Sequence, residues 1–278
     1  MGDAAGALRR AALELGEISD SPRLDAELLM AHALQVERAE LLLKLPELAE
    51  PAGFSGLVAR RQKSEPIAHI VGKKEFWGLD FQVTPDVLIP RPDSELLVEH
   101  AIDIFAPHHP QNILDLGTGS GALLLATLAE FPEATGLGID ASAPALQVAH
   151  NNADALDLAD RAKFLLLDWT TPEWAHSPGS HFDLVLANPP YVATGAILSE
   201  DVAGFEPHQA LFAGEEGLDD YRIIIPALET LLSSCGIALL EIGFDQAKAV
   251  SEIADANGYR SEKKQDLGGN DRLLILRQ

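Results

Sequence analysis

From about Pro92 to the C-terminus, short apolar runs alternate with amphipathic ones, and this alternation limits the fold more than any other feature. "NILDLG", "TGLGID", "AKFLLLDW", "FDLVLANPPY", "GIALLEIG" and "DRLLILRQ" read as strands. "SELLVEHAIDIFA" precedes them as a helix, and "SGALLLATLAEF", "SAPALQVAHNNADAL", "YRIIIPALETLL" and "DQAKAVSEIADANG" lie between them with helical apolar spacing. Such strands need cover on both faces, which predicts an α/β fold with a doubly wound, Rossmann-like sheet. Ligands in such sheets sit beyond the carboxyl ends of the strands, where the strand order reverses.

The chain before Pro92 has a different pattern. "SPRLDAELLMAHALQV" and "PAGFSGLVARRQKSEP" read as helices, the first started by Ser21 and Pro22, the second stopped at Pro66. Residues 1–72 are expected to form a small N-terminal helical bundle. "HIVGKKEFWGLDFQV" and "VLIP" are strand-like, punctuated by Gly72 and Gly78 and closed by prolines. Residues 73–92 are therefore expected to be a hairpin linker, and 93–278 the α/β domain.

Charge narrows the partners. The chain has 278 residues and a net charge of −23, of which residues 81–278 carry −20. A protein that neutralises phosphates needs a basic footprint, so direct nucleic-acid binding is not expected. No apolar run approaches the ~20 residues of a membrane span, and the N-terminus lacks a signal-peptide core. A cytoplasmic, monomeric protein that stays off membranes is expected. The single cysteine, Cys235, excludes an internal disulfide and a multi-cysteine metal site. Its neighbours in "LLSSCGIALL" suggest a small buried core residue. His69 and His208 have no companions at metal-ligand spacing and read as structural, so no metal is expected.

Four strand ends carry polar residues that could meet a ligand. The first runs into "DLGTGSG": Asp115, Gly117, Thr118, Gly119, Ser120 and Gly121. Glycines let the chain turn sharply there and let a ligand approach a helix N-terminus. The acid two residues before the first glycine suits a cationic amino group and would repel a pyrophosphate. The second strand ends in Asp140, placed to accept from both ribose hydroxyls. The third ends in Asp168 and Trp169, an acceptor for an adenine amino group beside an apolar indole face. The fourth ends abruptly in Asn188-Pro189-Pro190-Tyr191, since two prolines cannot continue a ladder.

With these features the chain resembles class I methyltransferases that bind S-adenosylmethionine. "NPPY" matches the (D/N)PP(Y/F/W) tetrapeptide of enzymes that methylate amino groups on planar systems. "EPIAHIVGKKEFWGLDFQV", "LIPRPDSE", "FEPHQALFAG" and "DLGGNDRLLILRQ" extend the resemblance to the protein-(glutamine-N5) methyltransferases that modify peptide chain release factors. The resemblance implies S-adenosylmethionine as cofactor, release factors as substrate, and methylation of the glutamine in a Gly-Gly-Gln tripeptide. A ribosomal protein glutamine, and adenine N6 of a nucleic acid, remain as alternative targets.

The chemistry assigns roles to the tetrapeptide. A carboxamide nitrogen is a poor nucleophile and must be aligned with its lone pair free. The Asn188 side-chain oxygen would accept one N–H of the target and the Pro189 carbonyl the other. Pro190 would stiffen the rim, and Tyr191 would stack on the planar amide. Glu206 and Pro207 are candidates for shaping a lid. Arg91 either borders the substrate mouth or pairs with an acid. Phe76 and Trp77 either line the cleft or seal a domain junction.

Overall fold

In the computed structural model, which describes residues 3–179 and 181–278, the chain forms two compact units. One comprises the helical segment ending at Lys73, together with Leu198–Glu206. Its helices are α1 (Ala4–Glu14), α2 (Pro22–Leu34), α3 (Arg38–Lys44), α4 (Phe54–Arg61) and α5 (Ile67–Val71). Leu8, Leu29, Leu41 and Phe54 form its core. Arg61 and Asp25, both largely buried, are joined by a 2.9 Å ion pair inside this unit. The outlying segment belongs to it partly through Ser64 Oγ, which donates to Glu200 Oε2 at 3.0 Å.

The other unit is Lys74–Ile197 with Pro207–Gln278. The strands β1 (Lys73–Phe76) and β2 (Leu79–Gln82) form a hairpin, turned at Trp77 and Gly78, both at positive φ. Then follow α6 (Glu95–Phe105), β3 (Asn112–Leu116), α7 (Ala122–Glu130), β4 (Thr135–Asp140), α8 (Ala143–Ala155), β5 (Ala162–Leu166) and β6 (Phe182–Ala187). The short helix α9 (Glu200–Phe205) lies in the first unit, and α10 (Asp219–Leu231), β7 (Leu232–Glu241), α11 (Ala247–Ala256), β8 (Arg260–Gln265) and β9 (Asp271–Arg277) complete the second.

Seven strands make one sheet in the order β5-β4-β3-β6-β7-β9-β8, parallel except for β9, which runs against both its neighbours. Side chains alternate between its faces. Leu114, Leu116, Val185 and Ala187 pack with Tyr221, Ile224 and Leu228 of α10, while Ile113, Leu184 and Leu186 pack with Leu97, Val98 and Ala101 of α6. From β3 the chain proceeds outward through β4 and β5, then returns to place β6 on the other side of β3. The order therefore reverses between β3 and β6, in register Leu116↔Ala187, directly below the glycine loop and "NPPY".

Two expectations need correcting, and one strand was not anticipated. "VLIP" is not a strand: Val87 and Ile89 are buried, but they lie in a loop, where Pro85 and Pro90 deny the segment ladder donors. Cys235 is exposed rather than buried. The β6–β7 pairing jumps from Phe182↔Leu232 to Leu184↔Ile237, so residues 233–236 bulge out of the ladder and carry Cys235 outward. "RSEKKQ" forms the edge strand β8, which its charge conceals.

Candidate active site

The glycine loop is tied to the neighbouring strand. The Gly117 and Thr118 N–H groups each donate 2.9 Å bonds to the Ile139 carbonyl. Gly117 has φ +73°, and a Cβ there would sit 3.0 Å from the Trp169 ring, so glycine is required both by conformation and by the close approach of the indole. Asn152, buried on α8, donates to the Ser120 carbonyl at 2.8 Å and accepts from the Gln82 N–H at 2.7 Å. One side chain thus holds the loop against the hairpin.

The carboxylates around this loop differ in environment. Asp140 accepts from Gly119 N–H at 2.9 Å and Ser142 N–H at 2.8 Å, yet burial still raises its pKa. Asp115 is 1% exposed. Its Oδ2 accepts from Thr118 Oγ1 at 2.6 Å, and its Oδ1 has no hydrogen-bond partner among the described residues. Burial pushes its pKa to about 7, against the pull of Thr118 and with a push from Asp140. Asp168 is exposed, and bonds from Thr170 hold it below the usual carboxylate range. Trp169 donates its indole N–H to Asp220 Oδ1 at 2.6 Å, which fixes the ring plane against Gly117.

A polar network lies beneath "NPPY". Asn188 Nδ2 donates to Ser94 Oγ at 3.1 Å. Ser94 Oγ donates in turn to Glu241 Oε2. Tyr191 Oη donates to Glu241 Oε1 at 3.2 Å, and Tyr221 Oη to the Glu241 carbonyl at 2.8 Å. Glu241 is 1% exposed. Burial raises its pKa to about 7, opposed by Ser94, Arg272 and Tyr191. The Tyr191 hydroxyl is pushed upward, by burial first and by the Glu241 charge second. The Tyr191 carbonyl accepts from Gln246 Nε2 at 3.0 Å, and the same nitrogen reaches the Gly217 carbonyl at 3.1 Å.

A cleft of about 320 Å³ opens above these groups. Of the expected cofactor residues, Gly117, Gly119, Asp140, Asp168, Trp169 and Asn188 line it, as does Pro190. Asp115, Thr118, Ser120 and Gly121 lie behind the wall, the first two joined to each other. Pro189 is buried at the rim, and Tyr191 points its hydroxyl at Glu241 below. Other walls come from Asp86–Leu88 and from Pro207, Gln209, Ala210 and Phe212. Phe76 packs into the core between sheet and α6, and the half-buried Trp77 packs against that core, its backbone N–H donating to Glu95.

Four carboxylates, Asp86, Asp140, Asp168 and Asp220, line the cleft, and among the described residues no lysine or arginine does. That charge set selects a cation and repels a phosphate. The volume is in the range of small-molecule sites. A nucleoside bearing a positive charge fits: S-adenosylmethionine would meet Asp140 with its ribose and the Trp169 face with its adenine. Asp115 lies behind the loop, 1% exposed, and does not line the cleft. Among the described residues no His, Cys, Asp and Glu cluster could hold a metal ion. No described helix is long and apolar enough to cross a membrane.

Sequence reasoning missed Ser94, Asn152, Asp220, Glu241 and Gln246. Only Glu241 left a trace, a lone acid closing an otherwise apolar strand, "IALLEIG".

Comparison with known proteins agrees with this picture. The family model described as the PrmC N-terminal domain matches residues 6–72, and that of the methyltransferase small domain matches residues 92–204. The release factor glutamine methyltransferase of Caulobacter vibrioides is 42% identical, covering 92% of this chain and 89% of its own. That of Cereibacter sphaeroides is also 42% identical, covering 99% and 98%. Among solved structures, the hMettl16 catalytic domain in complex with the MAT2A 3′UTR hairpin 1 superposes with a TM-score of 0.59 at 15% identity, covering 86% of this chain and 90% of that one. A SAM-dependent methyltransferase from Agrobacterium tumefaciens gives 0.50 at 17% identity, covering 74% and 69%. At such identities the structural likeness speaks for the fold alone.

Proposed function

The chain belongs to the release factor glutamine methyltransferase family, and from that premise we propose that it methylates N5 of the glutamine in the Gly-Gly-Gln motif of peptide chain release factors. Its cofactor is S-adenosylmethionine, which supplies a methyl group made electrophilic by the sulfonium charge. The observation that carries the reading is the orientation of Asn188. Its NH₂ end is occupied by Ser94, which leaves Oδ1 as the acceptor at the cleft it lines.

Asn188 Oδ1 and the Pro189 carbonyl then take the two N–H groups of the target carboxamide. Two acceptors in the amide plane hold the nitrogen with its lone pair toward the methyl group. They also favour the positive charge that grows on nitrogen in the transition state. Pro189 and Pro190 keep that rim rigid, because each ring locks its own φ. Tyr191 supports the rim from below through Glu241. The nitrogen becomes strongly acidic as it is alkylated, so its proton can leave to water and no strong base is needed.

The glycines of the target motif suit a narrow cleft, which side chains on the neighbouring residues would obstruct. The helical segment 1–72 is assigned the grip on the body of the release factor, and 93–278 the transfer. The −20 charge of residues 81–278 speaks against a nucleic-acid target. The test is incubation with labelled S-adenosylmethionine and, separately, a release factor, ribosomal proteins and duplex DNA. Label is expected in the release factor, and lost when its Gly-Gly-Gln glutamine is replaced. Label in DNA alone, or label that survives that replacement, refutes the proposal.

A further inference from the structure

Glu241 is a fully buried carboxylate that does not line the cleft. It closes β7, next to the point where the strand order reverses. An uncompensated buried carboxylate is costly, and this one has a donor on each oxygen, Ser94 on Oε2 and Tyr191 on Oε1. Both donors lead to the catalytic tetrapeptide. Ser94 and Glu241 are 147 residues apart in sequence, so only the fold brings them together.

Counting protons fixes the direction of the chain of bonds. A serine hydroxyl has one hydrogen and two lone pairs. With that hydrogen committed to Glu241, Ser94 can offer Asn188 only an acceptor. Only the NH₂ end of the Asn188 amide satisfies an acceptor, so Oδ1 must turn the other way. Without an acceptor at position 241, the Ser94 hydrogen is free to donate to Asn188 Oδ1. The amide would then rotate and present NH₂ to a substrate that itself presents NH₂. Two donors facing each other cannot bond, and the substrate nitrogen loses its alignment.

We propose that Glu241 is a positioning residue for methyl transfer: acting through Ser94, it holds the Asn188 amide with its oxygen toward the cleft, while through Tyr191 it anchors the other end of the same tetrapeptide. This rests on the reading of Asn188 as the acceptor for the target carboxamide. The role requires a hydrogen-bond acceptor at position 241 and not its charge. Glutamine can fill it, with its oxygen toward Ser94 and its NH₂ toward Tyr191 Oη.

Four variants test this by single-turnover methylation of a release factor and by calorimetric titration with S-adenosylmethionine. Ser94→Ala and Glu241→Leu are each expected to slow transfer by about 100-fold, the scale of a misplaced reacting group, with cofactor affinity changed by less than about threefold. The double variant should be no slower than Glu241→Leu alone, since that change already cuts the chain through Ser94. Glu241→Gln should regain most of the rate. The proposal is overturned if the rates stay near wild type, if cofactor affinity falls in step with rate, if the two losses multiply, or if Glu241→Gln is as slow as Glu241→Leu. Ser94→Ala removes one oxygen and carries the test should the leucine variant not fold. Asn188→Ala, run alongside, separates two failures. If it transfers at the wild-type rate, the reading of Asn188 is wrong. If it is slow while Ser94→Ala and Glu241→Leu are not, only the role of Glu241 is lost.

Discussion

Replacing Asp115 by asparagine isolates the cost of a charge buried behind the glycine loop. The carboxyl is 1% exposed, and its pKa is raised from 3.8 to about 7. In the folded chain it therefore holds its proton more tightly than in the unfolded chain. Between the two pKa values the folded state binds more protons, so stability falls as pH rises through that window and levels off above about pH 7. At 1.36 kcal/mol per pKa unit the full swing is about 4 kcal/mol. Near the isoelectric point of about 4.6 the chain is prone to precipitate, so the practical window is pH 5.5 to 8. The part of the swing from pH 5.5 to 7 is about 2 kcal/mol. Asparagine has no proton to lose, and its oxygen can still accept from Thr118, so other effects of the change add a constant offset. Urea unfolding of both cofactor-free proteins gives the difference at each pH. Trp77, Trp169 and Trp174 all lie in the α/β unit, so tryptophan fluorescence reports that unit alone. The stability of the variant relative to wild type should rise by about 2 kcal/mol from pH 5.5 to 8. A difference that is flat across this range, or that changes in the opposite direction, refutes the reasoning.

Three further outcomes follow from local geometry. Trp169→Ala should weaken S-adenosylmethionine binding by roughly 1–3 kcal/mol, the worth of one base stacked on an aromatic ring, as read by calorimetry. Gly217→Ala should slow transfer and leave cofactor affinity near wild type: Gly217 has φ +70°, and a Cβ there would overlap the Tyr191 carbonyl that Gln246 holds. Arg61→Ala should destabilise the helical unit by about 3–5 kcal/mol in a circular-dichroism melt, because it strands the buried Asp25 carboxylate.

The α/β architecture was legible because its central strands are covered on both faces and so read as unbroken apolar runs. β8 was not, because an edge strand has one free side and can consist of "RSEKKQ" without burying a charge. "VLIP" misled in the opposite sense: its apolar residues are buried by a loop, and burial alone does not make a strand. Cys235 misled because an apolar neighbourhood in sequence says nothing of a bulge, which is set by the register between two strands. At the site, glycines and strand-end acids stood out because their positions follow the topology. Ser94 and Asp220 did not, since each resembles an ordinary residue near a helix start and acquires its meaning from a partner far along the chain. The sequence motifs name the groups facing the ligand, whereas the groups holding them in place are chosen by the fold.

The most direct measurement is a pair of constants for Asn188→Ala: its dissociation constant for S-adenosylmethionine and its single-turnover rate on a release factor. The carboxamide-holding role gives an affinity within about threefold of wild type and a rate lower by about 100-fold or more, because the lost acceptor acts on the transition state. A rate close to wild type, or a loss explained entirely by weaker cofactor binding, would show that Asn188 does not hold the reacting amide.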